Sequence, residues 1–326
     1  MYKNPLDNHP YILKLIDLEK KVEDRTAFHI QCESLLMQMG KDKDFLKAVI
    51  KRNFDDFGFL KQEWTGYNIP FFYVHETENY NLKIHLFPPE KEGRKNIAAH
   101  CIHHHNNYIL TTNAFFGSGY ETFLFNKKPF PDTNTLDTQL KVVKHFHQKD
   151  VNPSRVDSWE PHVVLIPETL SATILIWTPD KKRTTDSFRQ NSILKLIKKP
   201  LRWLIHKLNL TNQFGIADEK TYQFYPVNDT FRAIEEDEYF APTKAEKGEK
   251  VNAYSAQMIF AFIQRSGLLD KEFFKSLLNI SNLPNYYKPY IQKLLNDEMI
   301  EDVYHRTEIN IPQKTYYTED ILAASK

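Results

Sequence analysis

The chain has 326 residues, of which 41% are hydrophobic and 26% are charged, so it is long enough to bury a sizeable core and to form two domains. Its 43 Lys and Arg against 42 Asp and Glu give a net charge of +1, and this balance provides no electrostatic argument for nucleic-acid binding. The two cysteines, Cys32 and Cys101, exclude a disulfide scaffold and a four-thiolate zinc module.

The sequence lacks targeting and phosphate-binding patterns, and this limits both where the protein is expected to be located and which ligands it is expected to bind. The first fifteen residues do not follow the charged, apolar and small-residue order of a leader, and no apolar run approaches the length of a membrane span. Only nine glycines are present, and neither GxGxxG nor GxxxxGK[ST] occurs, which disfavours nucleotide binding through a glycine-rich loop. With the low cysteine count, these features predict a cytoplasmic protein.

Residues 1–64 are predicted to form an N-terminal helical extension. Apolar side chains recur there at the spacing of one helix face, as in Leu46, Val49 and Ile50. The same spacing places Ile12 on an apolar face and leaves Lys14 for solvent.

Residues 65–180 are predicted to form a β domain, which later strands could extend to about residue 230. From Pro70 the hydrophobic period changes to two, in short runs rich in β-branched and aromatic residues: PFFYVH, YNLKIHLF, KNIAAHCIHHH, NYILTTNAFF, YETFLF, LKVVKHFH, PHVVLIP and SATILIWT. Turn-forming residues, such as Gly117 and Gly119, separate them. About eight closely spaced strands without intervening helices predict a sandwich or a small closed barrel of antiparallel strands.

Residues 181–250 are predicted to be a basic helix followed by a charged, mostly irregular connection. The segment 181–208 is amphipathic and strongly basic, with Trp203 near its apolar side. Such a helix can lie on an anionic membrane surface, but packing over the β domain is the favoured interpretation.

Residues 251–326 are predicted to be a C-terminal helical segment that closes with a two-strand pattern. Acidic residues there at least balance the basic ones, so a nucleic-acid-binding surface is not supported. A lid, a homodimer interface or a partner-binding helical unit fits this segment better.

Histidines are concentrated in the third strand run, and this is the main chemical signal. Side chains alternate along a strand, so His103 and His105 share one predicted face with Cys101, while His100 and His104 share the other. An H-x-H pair can place two imidazoles on one metal ion. A third ligand must come from elsewhere, and His162 opens a run that an adjacent strand could bring close.

The stretch from residue 96 to 180 resembles the cupin superfamily. IHHHNNYILTTNAFFGSGYETFLF resembles the first cupin motif, which carries H-x-H, and EPHVVLIPETLSATILIWTPD resembles the second, which supplies a later histidine. The glutamate ligand that cupins place shortly after H-x-H is missing, because Tyr108, Ile109 and Leu110 occupy that position. This departure is similar to the three-histidine, cysteine dioxygenase-like branch.

The resemblance implies a fold and a reaction. The fold would be mainly β with α extensions, a cupin-type jelly-roll β-barrel flanked by N- and C-terminal helical segments. His103, His105 and His162 would bind one divalent metal, with Fe(II) favoured by the resemblance and Zn or Mn as alternatives. The activity would be that of a dioxygenase-type oxidoreductase acting with O2 on a small polar substrate that chelates the metal.

Other assignments stay open. The same barrel could be a non-catalytic ligand-binding or protein-interaction module, or a Zn or Mn hydrolase or isomerase. His100 with His104 is an alternative ligand pair. The second H-x-H, His145 and His147, is interpreted as ordinary strand residues or as a supplement to the site.

Three further residues are candidates for catalytic roles, each beside a simpler interpretation. Tyr108 and Tyr120 could point a hydroxyl inward as a proton donor or to position oxygen, or they could be packing residues. Arg155 could clamp a substrate carboxylate with its planar guanidinium, or lie solvated in a loop.

Overall fold

The computed structural model describes residues 5–64, 69–90, 102–103, 108–126, 141–179, 221–225, 230–234 and 248–304. Strands at 102–103, 221–225 and 230–234 are described by their backbone alone. The predictions for the basic segment 181–208, for Cys101, His100, His104 and His105, and for most of the closing two-strand pattern lie outside the described residues.

Helices occur at both ends of the chain, as predicted. The N-terminal helices are α1 (Pro10–Lys21), α2 (Arg25–Lys41), α3 (Lys43–Phe54) and α4 (Phe57–Leu60), and the C-terminal ones are α5 (Glu249–Arg265), α6 (Lys271–Leu277) and α7 (Lys288–Leu295). Aspartate carboxylates accept hydrogen bonds from first-turn amides and so cap α2, α3, α4 and α6; they belong to Asp24, Asp42, Asp56 and Asp270. Within the described part of the chain, no helix combines the length and the apolarity needed to cross a membrane.

The strands form two antiparallel sheets. They are β1 (Phe71–Glu76), β2 (Asn81–Phe87), β3 (Ile102–His103), β4 (Ile109–Phe116), β5 (Glu121–Phe125), β6 (Val142–His147), β7 (Ser154–Val156), β8 (His162–Leu165), β9 (Ser171–Thr178), β10 (Thr221–Tyr225) and β11 (Thr230–Ile234). One sheet has the order β1-β2-β9-β4-β7 and the other has the order β11-β10-β3-β8-β5-β6.

The observed sheets differ from the prediction in three respects. The described pairings form two open sheets, with no pair joining a strand of one sheet to a strand of the other, so they do not make the closed barrel that was one of the predicted forms. Strand β7 lies in a segment that was interpreted as a loop, because three residues are too few to show alternation. The hairpin β10–β11 lies in the connection that was predicted to be mostly irregular; β10 falls within the later strands that could extend the β domain to about residue 230, and β11 goes beyond them.

The predicted turn between β4 and β5 contains two glycines with positive φ. Gly117 has a φ of +80°, and a Cβ there would lie 2.1 Å from the Leu170 carbonyl oxygen. Any side chain would therefore collide with the loop before β9, which explains the glycine at this position.

The helices cover the outer face of the five-stranded sheet. Alternate residues on that face are buried and join the helices in one apolar core, among them Phe72, Leu82, Ile84, Ile174 and Ile176. The helical members come from both chain ends, for example Leu36 in α2 and Ile259 in α5. The two terminal helical segments therefore stabilise the same sheet.

The inner face of the five-stranded sheet packs against the six-stranded sheet. Leu110, Val156 and Leu175 from the first sheet contact Leu124 and Phe146 from the second in a separate apolar cluster. This cluster identifies the two faces that line the space between the sheets, and therefore which side chains belong to the interior.

Candidate metal centre

Strand pairing brings His103 and His162 together in the six-stranded sheet. His103 on β3 is the direct register partner of His162 on β8, and it pairs with Thr221 of β10 on its other side. Directly opposed residues of an antiparallel pair share a face and lie about 5 Å apart at Cβ. Two histidines that are far apart in sequence thus occupy adjacent positions on one face.

That face is the interior one. His162 also pairs with Leu124 on β5, and Leu124 belongs to the apolar cluster between the sheets. His162 is 1% exposed. The register therefore places His162 toward the five-stranded sheet, in a region shielded from water, and His103 at the paired position of β3.

A hydrogen bond to a backbone carbonyl orients the His162 ring. Its Nδ1 lies 3.1 Å from the carbonyl oxygen of Glu160, and a carbonyl oxygen can only accept. Nδ1 therefore carries a proton in this contact. A backbone carbonyl that orients an imidazole in this way is the usual partner of a metal-binding histidine.

The third predicted ligand is outside the described residues. His105 lies there, as do the alternative ligands His100 and His104. In the part of the chain that the structure describes, no group of three or more His, Cys, Asp or Glu side chains could hold a metal ion. The described backbone thus pairs two members of the predicted set, His103 and His162, and the ligand set itself stays a prediction.

A buried network of hydroxyl and amide groups lies between the sheets near Tyr120. The Tyr120 hydroxyl donates to Thr112 Oγ1 at 3.1 Å, and the same oxygen lies 3.2 Å from Gln148 Nε2 and 2.9 Å from Ser154 Oγ. Burial raises the pKa of Tyr120 to about 12. Tyr120 is therefore an interior residue that keeps its proton, and its hydroxyl is already engaged with a protein acceptor.

Tyr108 has a packing contact rather than a described polar role. Its ring meets the Trp177 ring edge-on, with centroids 6.0 Å apart, and the residue is half-buried just before β4. This contact agrees with the simpler of the two interpretations of Tyr108.

Arg155 does not face the candidate centre. On β7 it pairs with Thr111, on the helix-covered face of the five-stranded sheet, and its Nη1 lies 3.9 Å from Glu33 Oε1 of α2. The predicted loop position was wrong because Arg155 is in a strand. To bind the carboxylate of a substrate held between the sheets, Arg155 would have to lie on the opposite face of the five-stranded sheet.

His145 and His147 also lie away from the interior. His145 pairs with Phe123, whose neighbours in sequence point to the inner face, and its ring stacks on Phe123 at 4.1 Å. His145 Nε2 contacts Glu121 Oε1 at 2.5 Å. Both histidines occupy the outer face of the six-stranded sheet, so they do not supplement the His103–His162 pair.

Two further histidines, the buried His29 and the half-buried His85, were not singled out from the sequence. His29 of α2 contacts the hydroxyls of Thr111 and Thr178 at 2.8 and 2.7 Å, and burial, with Arg155 and Arg25 nearby, lowers its pKa to about 3. His85 of β2 is on the inner face opposite Thr173, and burial lowers its pKa to about 3 as well. The sequence offered one indication for His85, namely the alternation of β2, which places His85 and Phe87 on the same face.

Comparisons with known proteins give distant structural likenesses only. No protein-family model and no curated protein matches the chain. Among solved structures, the capsular polysaccharide assembling protein CapF from Staphylococcus aureus is 12% identical over 37% of this chain and 32% of that one, with a TM-score of 0.24.

Two other structures are similar to the same degree. CapF with the inhibitor 3-isopropenyl-tropolone is 12% identical over 52% of this chain and 44% of that one, with a TM-score of 0.25. The DMSP lyase DddQ from Ruegeria pomeroyi DSS-3 is 11% identical over 33% and 42%, with a TM-score of 0.20. The chain covers less than half of each protein, and TM-scores this low do not establish a shared fold.

Proposed function

We propose that this chain is a cupin-like metalloenzyme that binds one divalent metal through His103, His105 and His162. The observation that carries the proposal is the direct pairing of His103 with His162 on an interior face, with the His162 proton held on Nδ1 by a carbonyl. Two facing antiparallel sheets with helices on the outside are the architecture in which such a centre would be shielded from water.

The proposed reaction is an O2-dependent oxidation of a small polar substrate. Three neutral imidazoles would leave Fe(II) its full charge and open positions for a chelating substrate and oxygen. The protein would contribute the rest: Glu160 fixes the His162 ring, and the apolar cluster around Leu110, Leu124 and Leu175 excludes water from the interior. Tyr120, protonated at neutral pH, would orient polar groups there rather than act as a base.

Metal analysis of single variants tests the ligand set. We expect the full-length protein, reconstituted with Fe(II) without oxygen, to retain stoichiometric iron, and His103→Ala, His105→Ala and His162→Ala each to lose most of it. His145→Ala is the matched control, because this histidine lies on a strand of the same sheet but on its outer face. Equal iron content in His162→Ala and His145→Ala would rule out the proposed centre.

Oxygen consumption then distinguishes the reactions. Iron-loaded protein that consumes O2 in the presence of small polar compounds able to chelate the metal supports the oxygenase. Hydrolysis or isomerisation by zinc- or manganese-loaded protein, without O2 uptake by the iron form, would replace the oxygenase by a hydrolase or isomerase on the same ligands. If the wild-type protein binds no metal, the remaining interpretation is a non-catalytic ligand-binding or protein-interaction module.

A further inference from the structure

Two threonine hydroxyls inside the sandwich have no hydrogen-bond partner among the residues that the structure describes. They belong to Thr122 on β5 and Thr173 on β9, which are 2% and 0% exposed. A buried hydroxyl without a partner costs free energy, and valine would fill the same space without that cost. Other interior hydroxyls, such as those of Thr112 and Ser154, do have protein partners.

Register places both hydroxyls on the inner faces. Thr173 alternates with Ile174, which points to the helix-covered core, and it lies opposite Ala114 and His85. Thr122 pairs with Phe146, a member of the cluster between the sheets. The two threonines therefore line the same interior from opposite sheets.

One ring contact shows that the two positions lie at a similar depth. Phe87 and Tyr120 meet across the sheets with centroids 5.0 Å apart. Thr122 is two residues beyond Tyr120, which immediately precedes β5, and Thr173 is two residues beyond Ser171, the register partner of Phe87. Both therefore follow the Phe87–Tyr120 contact by one inward-facing position, and on β5 the next such residue, Leu124, is opposite His162.

Among the described residues, the direct register partners of Thr122 and Thr173 carry no charge at neutral pH; they are Phe146, Val164, Ala114 and His85. His85, opposite Thr173, is a neutral imidazole there, because burial holds its pKa far below 7. Hydroxyls and a neutral imidazole can each donate and accept hydrogen bonds, and they complement hydroxyl groups better than they complement a carboxylate or an ammonium group.

We propose that Thr122 and Thr173 hydrogen-bond the uncharged, hydroxyl-bearing part of the small molecule that binds beside the His103–His162 pair. The inference deepens the proposed function, on which it rests, by naming the substrate class: a polyol or a sugar-like compound. Thr122 and Thr173 determine specificity and position the ligand, and the metal is held by other residues.

The test compares binding and stability in full-length variants. Thr122→Val and Thr173→Val retain the shape of the side chain and remove only the hydroxyl. Thr111→Val is the matched control, because Thr111 lies on the helix-covered face of β4, where its hydroxyl contacts His29 at 2.8 Å. Erythritol and D-glucose are the probes and lactate the charged comparison, with dissociation constants from calorimetry and metal content measured on the same samples.

The expected pattern separates ligand binding from a structural role. We expect the wild type to bind at least one of the two polyhydroxy probes more tightly than lactate, and each interior variant to bind it about tenfold more weakly, the loss of roughly one hydrogen bond. The urea midpoint should stay equal or rise in Thr122→Val and Thr173→Val, and fall in Thr111→Val, which should bind the probe like the wild type.

Three results would overturn the inference: no binding of either probe by the wild type, unchanged binding in both interior variants, or a lowered urea midpoint in those variants. None of these depends on metal content. A wild-type protein without metal that still binds a polyol through both threonines would refute the enzyme and assign the interior to a non-catalytic binding module.

Discussion

His29 connects helix α2 to the five-stranded sheet through two threonine hydroxyls, and it is fully buried. A neutral imidazole in this position donates from one ring nitrogen and accepts with the other, and both hydroxyls can take either role. Burial and the nearby cations of Arg155 and Arg25 oppose a second proton and lower the pKa to about 3. The helix–sheet contact at His29 therefore depends on pH.

The pH dependence of stability tests this contact. In the unfolded chain His29 takes up a proton below its ordinary pKa of 6.5, whereas in the folded chain it does so only near 3. The unfolded state thus binds more protons in between, so stability falls as the pH drops from 6.5, by up to about 1.4 kcal/mol per pH unit from this residue.

The measurement is urea unfolding of the wild type and His29→Gln between pH 8 and pH 4. Glutamine does not titrate in this pH range, so the free energy of unfolding of His29→Gln should change less with pH than that of the wild type. The difference in free energy between the two proteins should be constant above pH 6.5 and should shrink or reverse below it. Curves that stay parallel down to pH 4 would show that His29 does not titrate as described.

At the same scale, the position of Arg155 shows what the sequence could not provide. From the sequence, an arginine in a short polar segment is equally compatible with a solvated loop position and with binding of a substrate carboxylate. The structure places it in a strand opposite Thr111, on the face covered by α2. Because β7 is only three residues long, no alternation was available to assign its face.

At the scale of elements, a single side chain forms hydrogen bonds with the outer edge of strand β1. Asn53 at the end of α3 accepts a hydrogen bond from the Tyr73 amide at 2.9 Å and donates to the Tyr73 carbonyl at 2.7 Å. The amide group of Asn53 thus reproduces the pairing that a neighbouring strand would give. Exposed strand edges can pair with other chains, and this contact blocks the edge at its centre.

Removing this contact should weaken the edge locally and the protein globally. We expect Asn53→Leu, which has a similar volume, to lower the free energy of unfolding by about 2 kcal/mol, because two hydrogen bonds to a strand backbone are lost. Amide hydrogen exchange at Tyr73 should accelerate, while exchange at Ile174 in the centre of the sheet should change only by the global loss.

Asn79→Leu, in the turn after β1, is the comparison, since the side-chain amide of this asparagine donates to Glu19 Oε1 and does not pair with the strand edge. Equal exchange at Tyr73 in the wild type and Asn53→Leu would contradict the proposed role of Asn53.

Most elements, but not their pairing, could be predicted from the sequence. In β2, Leu82, Ile84 and Leu86 alternate with polar residues and gave a clear strand period. The order of the strands depends on contacts between distant residues, which no local pattern contains. The prediction that an adjacent strand could carry His162 agrees with β8 lying beside β3, but the register with His103 is visible only in the structure.

At the scale of the whole molecule, the two ends of the chain share one core. Phe54 of α3 contacts Phe260 of α5 at 5.5 Å between ring centroids, and Phe260 contacts Tyr287 at 5.9 Å. Helices from before and after the β domain thus interlock over the five-stranded sheet. The predicted division into separate terminal extensions describes the order of the sequence, while the packing joins both extensions to the sheet.

Truncating the central ring tests whether this shared core unfolds as one unit. Phe260 is fully buried, so Phe260→Ala should lower the free energy of unfolding by about 3–5 kcal/mol. Because the helices and the sheet depend on the same cluster, the transitions followed by circular dichroism and by tryptophan fluorescence should move together.

Phe57→Ala is the control, because Phe57 is 47% exposed and its loss should change stability by less than about 1 kcal/mol. A variant in which the helical signal is lost well before the fluorescence changes would show that the terminal helices form an independent unit.

The shared core also has a consequence for biosynthesis. The strands that α5 will cover leave the ribosome before α5 does, since the helix begins at Glu249 and the sheet is complete at Thr178. Until α5 has been translated, part of the apolar face of the five-stranded sheet is exposed to solvent. Nascent chains halted in that interval should therefore bind chaperones more strongly than the finished protein does.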